Sequence, residues 1–173
     1  MPHEDDASRP LDELADITVG FVGPMKYEYV EAGIPFLRSQ NIKPFRIDLD
    51  DVKYINDEFH RRLSKSSLRP GDVVVVRTGT PGTAAVIPET LPIANCSDLV
   101  VIRPKDTLDP WYLSYFINGA AKGFVSSRLV GAVQQHFNVG SARELRIPNL
   151  PLVKQQAIAS VLRSLDTKGS PIF

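Results

Sequence analysis

Residues 70–83, Pro70-Gly71-Asp72-Val73-Val74-Val75-Val76-Arg77-Thr78-Gly79-Thr80-Pro81-Gly82-Thr83, decide how the rest of the chain is read. Pro70-Gly71-Asp72 is a tight turn. Four β-branched residues in a row then ask for a strand covered on both faces. An arginine placed directly after such a strand is always charged, so it needs the strand's exposed end. Small polar residues follow and reverse the chain. TPGTAAVIP (80–88) therefore returns as a partner strand, in a β-hairpin with its tip near Thr78 to Gly82. The glycine-rich segment 79–85 is a hairpin tip rather than a phosphate loop. That loop needs a lysine and a hydroxyl residue opening a helix, and here alanines lead into a strand.

Working outward, ANCSDLVVIRP (94–104) reads as a third strand of the group, and GIPFLRSQNI (33–42) as a strand opening into a polar loop. Pro10 suits the first turn of a short helix, LDELAD (11–16). ITVGFVGP (17–24) is strand and turn, and MKYEYVEAG (25–33) is a loop carrying Lys26 and Tyr27. FRIDLDDVKYI (45–55) alternates weakly as another strand. Asp57 is placed to cap a short basic helix over 57–66, with Phe59 and Leu63 on one face. DPWYLSYFINGAAKGF (109–124) is the central helix: Trp111, Leu113, Tyr115, Phe116 and Ile117 supply its apolar face, and Gly119 or Gly123 ends it. The turn-rich segment 126–148 closes with a short strand. Apolar residues then recur at helical spacing in 151–169, at Val153, Ala157, Ile158, Val161, Leu162 and Leu165. An isolated stripe of this length is marginal as a free helix, so it is expected to pack on its own domain or on another chain. The predicted class is α+β: a twisted, mostly β core with short peripheral helices and a C-terminal amphipathic helix. The predicted organisation is a flexible lead (1–9), one mixed domain (10–150), the helix (151–168) and a tail (169–173).

The length of 173 residues fits one domain, and 43% hydrophobic with 23% charged residues fits a chain with a real core. A single cysteine, Cys96, excludes an intramolecular disulfide and is expected to be a small buried hydrophobe. The first residues are polar and acidic, and no run approaches about 18 apolar residues, so a soluble, cytoplasmic protein is expected. Lysines and arginines number 20, as do aspartates and glutamates. Six of the acids and one of the bases fall within residues 1–16, which leaves 19 bases against 14 acids in the remainder. That excess suits contact with a few phosphates.

Catalytic and metal chemistry find little footing. His3, His60 and His136 are far apart, and one cysteine makes no thiolate cluster, so no metal is expected. No nucleophile elbow is present, and Cys96 sits in a strand. A metal-dependent nuclease would need clustered carboxylates beside a lysine. Only Asp51-Val52-Lys53 and Asp166-Thr167-Lys168 offer that pairing, both as solvated positions. An amino-methyltransferase would need a nucleotide-binding glycine motif and a Pro-Pro-aromatic loop, and the chain has no adjacent prolines. Three polar loops interrupt the β-rich core instead: Arg38, Ser39, Gln40 and Asn41; Arg77, Thr78 and Thr80; and Gln134, Gln135, His136 and Asn138. Arginine pairs bidentately with guanine and Asn or Gln with adenine, while hydroxyls and cations hold phosphates. Each residue taken singly could equally be a hydrogen-bonded turn residue.

Taken together, GIPFLRSQNI (33–42), LRPGDVVVVRTGTPGTAAVIP (68–88), ANCSDLVVIRP (94–104), PWYLSYFIN (110–118) and the segment 130–162 resemble a target-recognition half of the specificity subunit of type I restriction-modification systems. The resemblance covers about residues 10 to 166 and implies a non-catalytic, sequence-specific reader of one half of a split double-stranded DNA site. It implies that residues 10–150 are the target-recognition domain and that 151–168 begins the spacer helix. Val153, Ile158, Val161, Leu162 and Leu165 would be the subunit contacts. The implied DNA-contacting set is Lys26, Tyr27, Arg38, Ser39, Gln40, Asn41, Arg77, Thr78, Thr80, Gln134, Gln135 and His136. The implied partners are a DNA methyltransferase subunit, a restriction/translocase subunit, and a second copy of the half-subunit as a homodimer. No cofactor is implied in this chain; S-adenosylmethionine, ATP and magnesium would belong to the partner subunits. The resemblance is to a protein with two recognition domains and a longer spacer helix, so a natural half-subunit and a truncated form both fit. Two other readings stay open: a truncated scaffold or decoy acting through its helix, and a nuclease or methyltransferase fragment.

Overall fold

The structure, a computed structural model, describes residues 7–124 and 136–167. Its strands are β1 (Ser8–Pro10), β2 (Ala15–Val19), β3 (Tyr29–Val30), β4 (Ile34–Leu37), β5 (Ile42–Lys43), β6 (Arg46–Ile47), β7 (Lys53–Ile55), β8 (Val73–Val76), β9 (Ala84–Val86), β10 (Asn95–Cys96), β11 (Leu99–Pro104) and β12 (Arg146–Pro148). The helices are α1 (Leu11–Leu14), α2 (Asp57–Arg62), α3 (Pro110–Asn118), α4 (Val139–Arg143) and α5 (Leu152–Asp166).

The four valines form β8, and all four are 0% exposed. β8 lies inside an antiparallel sheet of order β2-β11-β8-β9. Because strand side chains alternate, Val73 and Val75 enter one core and Val74 and Val76 the other. The first core is closed by α3, through Leu113 and Ile117, and by Phe137, Leu145 and Ile147. The second contains Leu37, Ile42, Leu68, Ile87 and Cys96. Burial of each valine is worth roughly 1.5–3 kcal/mol over leaving it in water, so this sheet is the rigid centre of the molecule. A second sheet, β10-β4-β7-β3, packs Phe36 and Ile55 on Phe59 of α2. Two ribbons complete the mixed α+β fold, β5 with β6 and β1 with β12.

Local chemistry explains the helices. Asp109 caps α3 by accepting from the Tyr112 N–H at 2.8 Å, Pro110 opens its first turn, and Gly119 ends it. Asn118, at the last turn of α3, covers the free edge of β9. Its Oδ1 accepts from the Ala84 N–H at 3.1 Å and its Nδ2 donates to the Ala84 carbonyl at 2.8 Å, as a neighbouring strand would.

Several sequence expectations change. Asn56 rather than Asp57 caps α2, accepting from the Phe59 N–H at 2.8 Å. Residues 94–104 form two strands and not one. β10 joins β4 in the second sheet while β11 sits between β2 and β8, because Asp98 takes a left-handed φ of 45° between them. The expected strand over 45–55 is likewise split into β6 and β7 by a turn. Ser8 and Arg9, at the end of the expected lead, pair as β1 with Pro148 and Ile147. Among the described residues, no helix is long and apolar enough to cross a membrane.

Candidate nucleic-acid interface

The junction between β10 and β11 gathers the polar loops at one end of the molecule. Val76 pairs with Leu99, so Arg77 leaves β8 beside Asp98. Val19 pairs with Val100, so the chain leaving β2 passes the same point. There the Phe21 N–H donates to the Cys96 carbonyl at 2.9 Å and the Asp98 N–H to the Phe21 carbonyl at 3.1 Å. Gly20 permits this crossing, since a Cβ there would stand 2.9 Å from the Cys96 carbonyl oxygen. β4 runs parallel to β10, with Leu37 opposite Cys96, and the Ser97 N–H donates to the Leu37 carbonyl at 3.0 Å. Arg38 therefore leaves β4 at the same level. The loops after β2, β4, β8 and β10 all begin within this junction.

Arg38 and Arg77 each have a carboxylate partner. Arg77 Nη1 donates to Asp98 Oδ1 at 2.5 Å, with the arginine side chain 21% and the aspartate 44% exposed. Arg38 Nη2 donates to the Asp51 carbonyl at 2.7 Å and to Asp51 Oδ2 at 3.3 Å. Gln40 Nε2 donates to the same carboxylate at 3.1 Å, and Lys53 Nζ to its other oxygen at 3.1 Å. Lys53 first, and Arg38 with it, hold the exposed Asp51 carboxyl below the usual carboxylate range. Nε of Arg38 and of Arg77 are the buried side-chain polar atoms without a hydrogen-bond partner among the described residues.

The remaining sequence-selected residues fall into distinct environments. Thr78 and Thr80 are exposed on the hairpin tip, and Thr78 Oγ1 lies 2.8 Å from His136 Nδ1. The Phe137 N–H donates to the Arg77 carbonyl at 3.0 Å, which ties the segment after His136 to the same loop. Tyr27 is 87% exposed, with Lys26 Nζ 5.3 Å from its ring centroid, on the loop that leaves the Phe21 crossing. Ser39 is half-buried and Gln40 exposed. Asn41 is different. It is 0% exposed, accepts from the Arg38 N–H at 3.0 Å, and donates to the Asp48 carbonyl at 2.9 Å and the Asp50 carbonyl at 3.4 Å. Its amide is consumed in bracing the loop. Gln134 and Gln135 lie outside the described residues.

Sequence reading passed over Asp98, and it named Asp51 only as a solvated acid beside Lys53 and not as the partner of Arg38. The available signal for Asp98 was a lone charge, preceded by the polar Ser97, directly before the apolar run Leu99–Ile102, which marks a chain break rather than a continuous strand. Among the described residues, no group of three His, Cys, Asp or Glu side chains is placed to hold a metal ion. Cys96 is buried, and burial pushes its thiol pKa up, so it is inert packing.

At the other end of the domain, α5 docks through polar contacts. Gln155, 3% exposed, accepts from the Asp109 N–H at 2.9 Å and donates to the Thr107 and Leu150 carbonyls at 3.0 and 2.9 Å. Ala159 packs beneath it, the Arg163 guanidinium lies 4.0 Å from the Trp111 ring centroid, and the Tyr115 hydroxyl donates to the Asp166 carboxylate. Most of the predicted stripe points away. Val153, Ile158, Val161 and Leu165 are 76%, 40%, 60% and 46% exposed, and Leu162 is half-buried. The helix packs on its own domain by a mixed face that carries Leu152, Gln155, Ala159, Leu162 and Asp166.

Comparison with known proteins agrees with this architecture. No known protein-family profile matches the chain. A curated relative from Methanocaldococcus jannaschii, "Putative type I restriction enzyme MjaX specificity subunit", is 27% identical over 78% of this chain and 33% of its own length. The resemblance to type I specificity subunits holds. The fold recurs in a chain solved in a study of assembly and conformational transition of the type I R-M system, with a TM-score of 0.73 at 20% identity, covering 96% of this chain and 41% of that one. It recurs in the HsdS subunit of Thermoanaerobacter tengcongensis, with a TM-score of 0.68 at 18% identity over 97% and 39% of the two chains. It is also found in the type IIG restriction endonuclease BpuSI, with a TM-score of 0.67 at 14% identity over 92% and 26%. The present chain thus spans about a third of its curated relative.

Proposed function

We propose that this chain reads one half of a split double-stranded DNA target for a type I restriction-modification assembly and carries out no chemistry itself. The observation that carries the reading is the convergence of the loops holding Arg38, Arg77, Thr78 and His136 on the β10–β11 junction, at the end of a sheet whose valines are fully buried. A rigid sheet holding irregular polar tips suits base-edge reading. Arg77 is the leading base reader, and Thr78, Thr80 and Ser39 suit phosphates. Arg38, Gln40, Lys26, Tyr27, Gln134, Gln135 and His136 complete the contact set. Asn41 serves by shaping the loop.

In this reading the exposed stripe of α5 receives a helix of a partner, either a second recognition half or the methyltransferase subunit. S-adenosylmethionine, ATP and magnesium belong to the methyltransferase and translocase partners. The test is binding of wild-type and Arg77→Ala protein to duplexes selected from a random pool, followed by sequencing of sites methylated when the chain is co-purified with its methyltransferase subunit. Arg77→Ala should cost about 1–3 kcal/mol and relax selection at one base pair if Arg77 reads guanine. Equal loss on all sequences assigns Arg77 to a phosphate. Undiminished affinity for the same selected sequence removes Arg77 from the interface. The exposed stripe also supports a second reading, a scaffold or decoy that occupies methyltransferase subunits. Binding to that subunit with no DNA selectivity would favour it.

A further inference from the structure

We infer that Asp98 is a positioning and specificity-determining residue, a carboxylate latch that presents Arg77 to a base edge and discourages it from holding phosphate indiscriminately. The inference rests on the DNA-reading function proposed above and concerns a residue that contacts DNA only through Arg77. Three observations carry it. The pair is asymmetric: Arg77 is the more buried partner, and its Nη1 is held at 2.5 Å by a carboxylate that is itself partly open to solvent. Nε of Arg77 is buried without a partner, which removes one edge of the guanidinium from use. Asp98 takes a left-handed φ of 45°, a conformation L residues rarely adopt.

The second polar loop repeats the design. Asp51 has φ 52°, holds Arg38 through its carbonyl and its carboxylate, and leaves Arg38 Nε buried without a partner. Two of the three positive-φ non-glycine residues among the described ones are thus the acids paired with the two loop arginines. A guanidinium fixed on one side keeps its remaining Nη donors in a set plane, which matches the paired acceptors of a guanine. A phosphate approaching the same arginine meets the neighbouring carboxylate, an unfavourable like-charge contact that a neutral base edge does not make. Discrimination therefore comes from repulsion of the wrong ligand as well as attraction to the right one.

The experiment uses the full chain. A random-sequence duplex pool is selected on wild-type protein. The enriched duplex and a scrambled duplex are then titrated across salt concentrations with wild type, Asp98→Asn, Arg77→Ala and the double variant. Asparagine tolerates the left-handed conformation, so Asp98→Asn should fold, and Asp98→Gly serves as a second latch-free variant. The latch predicts that both steepen the salt dependence on scrambled DNA by about one unit of slope, as one more phosphate contact would. It also predicts a fall of about tenfold in the enriched-to-scrambled affinity ratio. With Arg77 already replaced, Asp98→Asn should change neither quantity. Unchanged slope and ratio in the single variants overturn the latch while leaving DNA reading intact. An equal slope change in the Arg77→Ala background also overturns it, since the carboxylate then acts as a general charge. A wild-type chain that enriches no sequence overturns DNA reading, and the latch with it.

Discussion

Strand β8 has an arginine–aspartate pair at each end, and the two pairs are built in opposite ways. At its N-terminal end the carboxylate is buried: the Asp72 side chain is 3% exposed, 3.5 Å from Arg103 Nε, and it accepts from the Arg69 N–H at 3.1 Å. Arg103 reaches on to the Ser67 carbonyl at 2.5 Å. At the C-terminal end the arginine is the more enclosed partner and Asp98 is 44% exposed. The same charges therefore do different work. A buried carboxylate fixed by backbone and arginine closes the fold. An arginine seated beside a solvent-facing acid is available to a ligand arriving from outside. Under the proposed function, which partner is buried, and not charge pairing alone, separates the structural pair from the DNA-facing one.

The sharpest way to break this contrast is to remove each acid in turn. Asp72→Ala should lose about 3 kcal/mol in urea denaturation, because it strands partners that a buried carboxylate satisfied. Asp98→Asn should change stability by less than about 1 kcal/mol, as expected of a partly exposed pair. Equal losses at the two ends would erase the distinction. Next in size, Gly20→Ala should cost about 1–3 kcal/mol by overpacking, since its Cβ would stand 2.9 Å from both the Cys96 carbonyl and its Sγ. Because that crossing positions the loop end, the same variant should also weaken selection among duplexes.

Asp72 and Asp51 sharpen the contrast through pH. Burial raises the Asp72 carboxyl pKa, against the pull of the Arg69 N–H and Arg103. A raised folded-state value means the folded protein binds the proton more readily than the unfolded chain. Its contribution is therefore fully present below the unfolded value, about 3.9, and is lost as pH rises through the folded value. Asp51 is shifted downward by Lys53 and Arg38, so its contribution is present above the unfolded value and lost as pH falls. Urea midpoints measured from pH 3 to 7 should show wild type gaining on Asp72→Asn toward acid and losing against Asp51→Asn over the same range. Parallel curves would remove the assignment.

How much of this could be read beforehand follows from range. The valine run, the Pro70-Gly71-Asp72 turn and the Asp109-Pro110 helix start are local features, and the structure contains each of them. The break at Asp98 was hidden because it depends on which sheet each half joins, and both partners are distant: β4 for one, β2 and β8 for the other. Arg77 was legible as a charge at a strand end, but its partner lies 21 residues away. Helical spacing marked the face of α5 correctly as apolar. It gave no clue that docking would centre on Gln155 and Ala159, since the Gln155 contacts to Thr107 and Asp109 are equally non-local.

That helix supports the prediction with the smallest effect on stability. A charged residue on a packed apolar face would destabilise strongly, whereas one on an exposed face changes stability by about 0.5 kcal/mol or less. Val161 is 60% and Ile158 40% exposed, so the double substitution Ile158→Lys with Val161→Lys should leave the urea midpoint nearly unchanged. If the stripe receives a partner helix, the same protein should fail to co-purify with the methyltransferase subunit or a second copy, because two lysines would enter an apolar seam. Gln155→Ala should do the reverse: it leaves the stripe intact but removes three of the hydrogen bonds that hold α5 in place, so the helix loosens. Association lost in the first variant with stability kept, and stability lost in the second, would assign the two faces of one helix to separate tasks. A stripe variant that unfolds would instead show that the apolar face is packed in solution.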